Sequence, residues 1–158
     1  MPEKIVTTLS DSRKATIHRL CYYEFNIRVI ELEPADGIDA PLRCQIKHDI
    51  LGSFKYEAIS YTWGPPIFSK TLICANLHIK IMPTLDEALC RLRLKDKPRI
   101  LWADAVCINR RDLKEWQERV QKMGEIYRFS RNTLIWVGDG EYMDPIMDFL
   151  WGLSSFLK

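Results

Sequence analysis

The chain has no C-x-x-C pair, no glycine-rich phosphate loop, and no apolar run near the 18 or so residues of a membrane helix. Its five cysteines, Cys21, Cys44, Cys74, Cys90 and Cys107, are an odd number without regular spacing. That excludes a disulfide scaffold or a zinc framework, and the thiols read as buried and reduced, as in the cytoplasm. The three histidines, His18, His48 and His78, have no metal-ligand spacing. Charge of one sign is missing too. Lys plus Arg is 23 and Asp plus Glu is 21, a formal +2, whereas nucleic-acid modules concentrate basic charge on one face. Nucleic acid and membrane are therefore not expected as partners. The start, Met1-Pro2-Glu3-Lys4, has no apolar core behind a basic end, so no secretory signal is expected.

What is present suits one domain, given 158 residues of which 47% are hydrophobic and a usual domain size of about 150. Residues 1–25 show no clean period beyond a short helix over 10–21 and read as an extension. Ile27 to Leu32 reads as a strand, and Leu42, Cys44 and Ile46 alternate with polar residues as a second. Tyr56 to Thr62 is a third, closed by Trp63-Gly64-Pro65-Pro66. Thr71 to Ile81 reads as a hairpin turning at Ala75-Asn76, with Asn76 suited to positive φ. Pro83 opens a helix, with Thr84 and Glu87 at capping-box spacing. Ile100 to Val106 is expected as a strand ending on Asp104 and its neighbours. A long helix runs from about Asp112 to Phe129, Thr133 to Val137 is a strand, and residues 143–157 read as a last helix. The later alternation of strand and helix predicts a layered α/β domain, its central sheet largely parallel, with extra N-terminal antiparallel strands or a hairpin. Ligands in such sheets sit beyond the carboxyl ends of the strands. Ser60 to Gly64 and Asp104 to Asn109 both end there.

These two segments resemble the signature blocks of fungal heterokaryon incompatibility (HET) domains. Tyr56-Glu57-Ala58-Ile59-Ser60-Tyr61-Thr62-Trp63-Gly64 is similar to the opening block. Leu101-Trp102-Ala103-Asp104-Ala105-Val106-Cys107-Ile108-Asn109 is similar to the second, and Asp112, Glu115, Val120, Met123, Ile126-Tyr127 and Trp136-Val137-Gly138 follow in order. The resemblance assigns the domain to residues 26–158, with a motif core over about 27–138. The chain departs at Arg110, where the family usually has Gln, at Trp116, where it has Arg, and at Arg119, where it has Gln. The resemblance implies a role in allorecognition and programmed cell death, with an upstream allorecognition or immune-receptor protein as partner and a homo-oligomer as active form. HET domains are in turn distantly similar to Toll/interleukin receptor (TIR) domains. That implies a flavodoxin-like layering with helices on both faces. It also implies an NAD glycohydrolase activity resting on a helix glutamate, with NAD as substrate and no tightly bound cofactor. Substrate-binding residues would then be Ser60, Tyr61, Trp63, Gly64, Asp104, Asn109 and Arg119.

Glu115 is the candidate catalytic carboxylate. At 100° per residue, Leu113, Trp116, Val120, Met123 and Tyr127 fall within about 80° of one another, and Glu115 lies roughly 120° from their centre, beside Arg119 and Ile126. It can edge a cleft there, or serve the helix as a capping-box partner of Asp112 and an ion-pair partner of Arg119. Asp104 either meets a hydroxyl or cation or caps its loop. Ser60 and Tyr61 either line the cleft or shape a turn, where Gly64 allows close backbone approach. Trp63 and Trp102 can stack on a flat base or fill the core. Cys107, without a nearby histidine, reads as a buried structural thiol. Arg110 and Arg119 either face phosphate or lie on the surface. A non-catalytic module that signals by self-association is the alternative to the enzyme.

Overall fold

The structure, a computed structural model, describes residues 26–53 and 55–138. The helices expected over 10–21 and 143–157 lie outside them. Asn26–Leu32 (β1) and Arg43–Ile50 (β2) form an antiparallel pair. Glu57–Tyr61 (β3) follows, then Lys70–Cys74 (β4) and Leu77–Ile81 (β5) as the expected hairpin. The residue with positive φ in that turn is Ala75, at 51°, and not Asn76. Pro83–Leu92 (α1), Arg99–Trp102 (β6), Asp104–Cys107 (α2), Leu113–Phe129 (α3) and Asn132–Trp136 (β7) complete the order.

The seven strands form one sheet in the order β5-β4-β2-β1-β6-β3-β7. It is mixed, which corrects the expectation of a largely parallel sheet. Three of its six junctions are antiparallel and hold most of the paired residues. Parallel pairing is confined to β6-β3-β7 and to a short β2-β4 contact. The cause is topological: β1 enters the centre beside β6 and runs against it. The first two strands are thus not an appendage but the middle of the sheet.

Burial explains the elements. Val29, Ile30, Ala58, Ile59 and Leu101 are fully buried, and α1 adds Leu85, Ala88 and Leu89 from one face, as its spacing predicts. Its expected capping box does not form. Pro83 takes the first helical position behind Met82, so Thr84 falls inside the helix and its hydroxyl donates to the Trp63 carbonyl at 3.3 Å. Glu57 at the start of β3 accepts from Arg99 Nε at 2.6 Å and from Asn132 at 3.1 Å, tying together the amino ends of the three parallel strands.

Candidate functional site

The carboxyl ends of β3, β6 and β7 and the amino end of β1 meet at one end of the sheet, because β1 is antiparallel to β6. Every residue singled out from sequence as binding or catalytic lies on β3 or β6, or in the loops and helices that leave this end. The strand expected to run through Val106 stops at Trp102. Ala103 caps the short helix α2, and Asp104 is its first residue. The physical reason is local: Asp104 Oδ1 accepts its neighbour's amide, Ala105 N, at 2.8 Å, which favours a helical turn over strand continuation.

Asp104 is the hub of one cluster. Its Oδ1 also accepts from the Tyr61 hydroxyl at 3.1 Å. Burial and then the Asp104 charge push the Tyr61 phenol well up, so it stays a protonated donor. Oδ2 meets Arg110 Nη2 at 3.3 Å, and the Arg110 guanidinium lies 3.6 Å from the centre of the Trp63 ring. Gly64 has φ of 63°, and a Cβ there would make only ordinary contact with Thr84. Its glycine is therefore explained by backbone conformation. The Tyr127 phenol donates to Ile59 O at 3.2 Å, next to Ser60 in the chain.

Glu115 is the hub of the other. Asp112 caps α3 by accepting Lys114 N and Glu115 N at 3.0 and 3.1 Å. The reciprocal half of the box is redirected, since Glu115 Oε1 accepts from Asn109 N at 3.2 Å. The same oxygen takes the Arg28 guanidinium and faces Arg119 Nε at 4.0 Å. Arg28 also donates from Nε to Cys107 O at 3.0 Å, and Arg119 donates to Asn26 O. Arg119 therefore turns inward to β1, away from the surface role left open for it. The Asn109 side chain accepts Arg111 N at 3.2 Å, closing the loop on itself. Arg28 is the functional candidate that sequence reasoning missed. Its signal was a basic residue among the branched residues of β1, a strand that also holds Glu31.

Two aromatic and thiol readings resolve as core. Trp102 is buried edge-on to Tyr127, with centroids 5.6 Å apart. Burial raises the Cys107 thiol to about 12, far from a thiolate nucleophile. At the same end, beside Tyr61, the buried Trp136 indole N–H has no acceptor among the described residues. No cluster that could hold a metal occurs among them either. A groove of about 450 Å³ lies elsewhere, between the 38–42 loop, the start of β4 and α1, and shares no residue with the two clusters.

Residues 56–154 match the family model described as heterokaryon incompatibility protein (HET). The chain is 29% identical over 140 residues to heterokaryon incompatibility protein 6, OR allele, of Neurospora crassa, covering 79% of this chain and 21% of that protein. It therefore spans about a fifth of that relative's length. No solved structure matches.

Proposed function

As the chain belongs to the heterokaryon incompatibility family, we propose that it serves as an effector of fungal allorecognition and cell death by cleaving NAD. The support is the gathering of Tyr61, Asp104 and Glu115 at one end of the sheet, where strand ends and helix starts converge as in ligand-binding α/β domains. The TIR-like reading draws on the parallel trio β6-β3-β7 with a glutamate on the helix between β6 and β7. Among the described residues Glu115 Oε1 takes all three of its contacts, so Oε2 is the oxygen offered to the ribose hydroxyls. In the reaction the C1′–N bond breaks with its electron pair passing to the pyridinium ring. Water adds at C1′ and loses a proton, giving nicotinamide and ADP-ribose. A carboxylate held beside C1′ stabilises the positive charge that develops there. The free state of Cys44, Cys74, Cys90 and Cys107 supports action in the reducing cytoplasm.

The test is release of nicotinamide from NAD by concentrated protein. Wild type should release it, and Glu115→Gln should lower the rate by about 100-fold or more while keeping a cooperative melt. Release by neither protein, even when fused to an oligomerising partner, sinks the enzyme reading.

A second reading is a non-catalytic module that self-associates or docks on an upstream receptor. It is favoured by Leu113, Trp116 and Val120 of α3, which are exposed together on one face. Replacing all three with serine should then abolish cell death and association while leaving the fold intact.

A further inference from the structure

We propose that Trp63, Asp104 and Tyr61 form a receptor for a planar organic cation, and that Arg110 of the same chain fills it here as an internal stand-in. The inference rests on the NAD reading proposed above and adds the chemistry of the group bound at the Asp104 cluster.

Each wall of this receptor is held without help from Arg110. The Trp63 carbonyl is tied to Thr84, and Asp104 Oδ1 is fixed by Tyr61 and Ala105 N. What remains open is one indole face and one carboxylate oxygen, Oδ2. Arg110 uses both at once, with its guanidinium carbon 3.6 Å from the ring centre and Nη2 3.3 Å from Oδ2. Guanidinium is flat, delocalised and always charged. Stacking on tryptophan while pairing with a carboxylate therefore selects for a flat cation, because a neutral ring satisfies only the stack and an ammonium satisfies mainly the charge. A pyridinium has both properties. Arg110 leaves easily, since its side chain is 40% exposed and it belongs to the loop between α2 and α3.

The occupant is thus also an inhibitor. Any ligand cation must displace Arg110 from Trp63, so the wild-type chain binds such a ligand more weakly than the bare receptor would.

The experiment is calorimetric titration with 1-methylnicotinamide, a pyridinium without a nucleotide, against neutral nicotinamide as the shape-matched control. Arg110→Gln should bind the cation about tenfold tighter than wild type, the scale of a partly exposed cation–π contact, and nicotinamide no tighter. Adding Asp104→Asn should reverse the gain. Arg110→Lys, which keeps charge near Asp104 but gives up the stack, should show a smaller gain and serves as the check if Arg110→Gln melts early. Equal cation binding by wild type and both Arg110 variants overturns the proposal. So does a gain shared by nicotinamide, or one that Asp104→Asn leaves in place. NAD cleavage is measured on the same samples: cation binding without cleavage refutes only the enzyme reading, and cleavage without the cation gain refutes only this receptor.

Discussion

Two donors and a third cation, from two elements and a loop, converge on a single oxygen of Glu115, and that fact governs what its substitution does. Arg28 comes from β1, Arg119 from the next turn of α3, and the Asn109 amide from the loop before it. Removing the carboxylate leaves two partly buried guanidiniums facing each other. Glu115→Ala should therefore cost about 2 kcal/mol of stability, read by denaturant unfolding, in addition to any effect on chemistry. Ala75 presents the opposite case, a residue whose backbone opposes its side chain. At φ of 51° it meets the Cβ penalty of the left-handed region. Ala75→Gly should raise stability by about 0.5 kcal/mol, the balance of relieved strain against greater unfolded-chain freedom, and a lowered melting temperature would contradict it.

At the scale of the element, α3 is turned about its axis relative to its apolar pattern. Its fully buried residue is Ile126, with Glu115, Arg119 and Met123 half-buried. Leu113, Trp116 and Val120 remain 71, 40 and 43% exposed. The polar bridge to β1 sets this rotation, because Glu115 and Arg119 must face Arg28 and Asn26 to keep their partners. Accordingly Ile126→Ala should cost about 3 kcal/mol, whereas Val120→Ser should stay within about 0.5 kcal/mol. Equal losses in urea titrations would restore the rotation that periodicity alone suggests. The 37–41 loop shows a comparable device. The buried Arg93 at the end of α1 donates to the carbonyls of Gly37, Ile38, Ala40 and Pro41. No pattern in the sequence separates this arginine from the surface ones, since its partners are backbone atoms more than 50 residues away.

For the whole molecule, the two ends of the sheet carry opposite duties. The end with Tyr61, Asp104 and Glu115 holds the proposed site, and the other is closed by Glu57, Arg99 and Asn132. Burial pushes the Glu57 carboxyl up, but the hydrogen bonds from Arg99 and Asn132 outweigh it and hold it below the ordinary range. Since the folded value lies below the unfolded one of about 4.3, ionised Glu57 stabilises the fold fully above that pH. The contribution is lost as pH falls through the folded value. Stability measured from pH 7 to pH 3 should decline on the acid side, and Glu57→Gln should flatten that decline while costing about 2 kcal/mol at pH 7. An unchanged acid slope in the variant would assign the decline to other carboxylates.

Local order was legible in the residues themselves. Branched residues located β1, alternation β2, and turn residues bounded β3 to β5, while Pro83 set the start of α1 and Asp112 that of α3, because these signals act within a few residues. The blocks around Ser60 and Asp104 also pointed to one end of a sheet. What they could not carry was direction and partnership. Only the tertiary structure put β1 antiparallel in the centre, brought Arg28 onto Glu115, and laid Arg110 across Trp63. Each of these depends on pairing between distant segments, where the choice of partner is decided by the sheet as a whole and leaves no period in the chain.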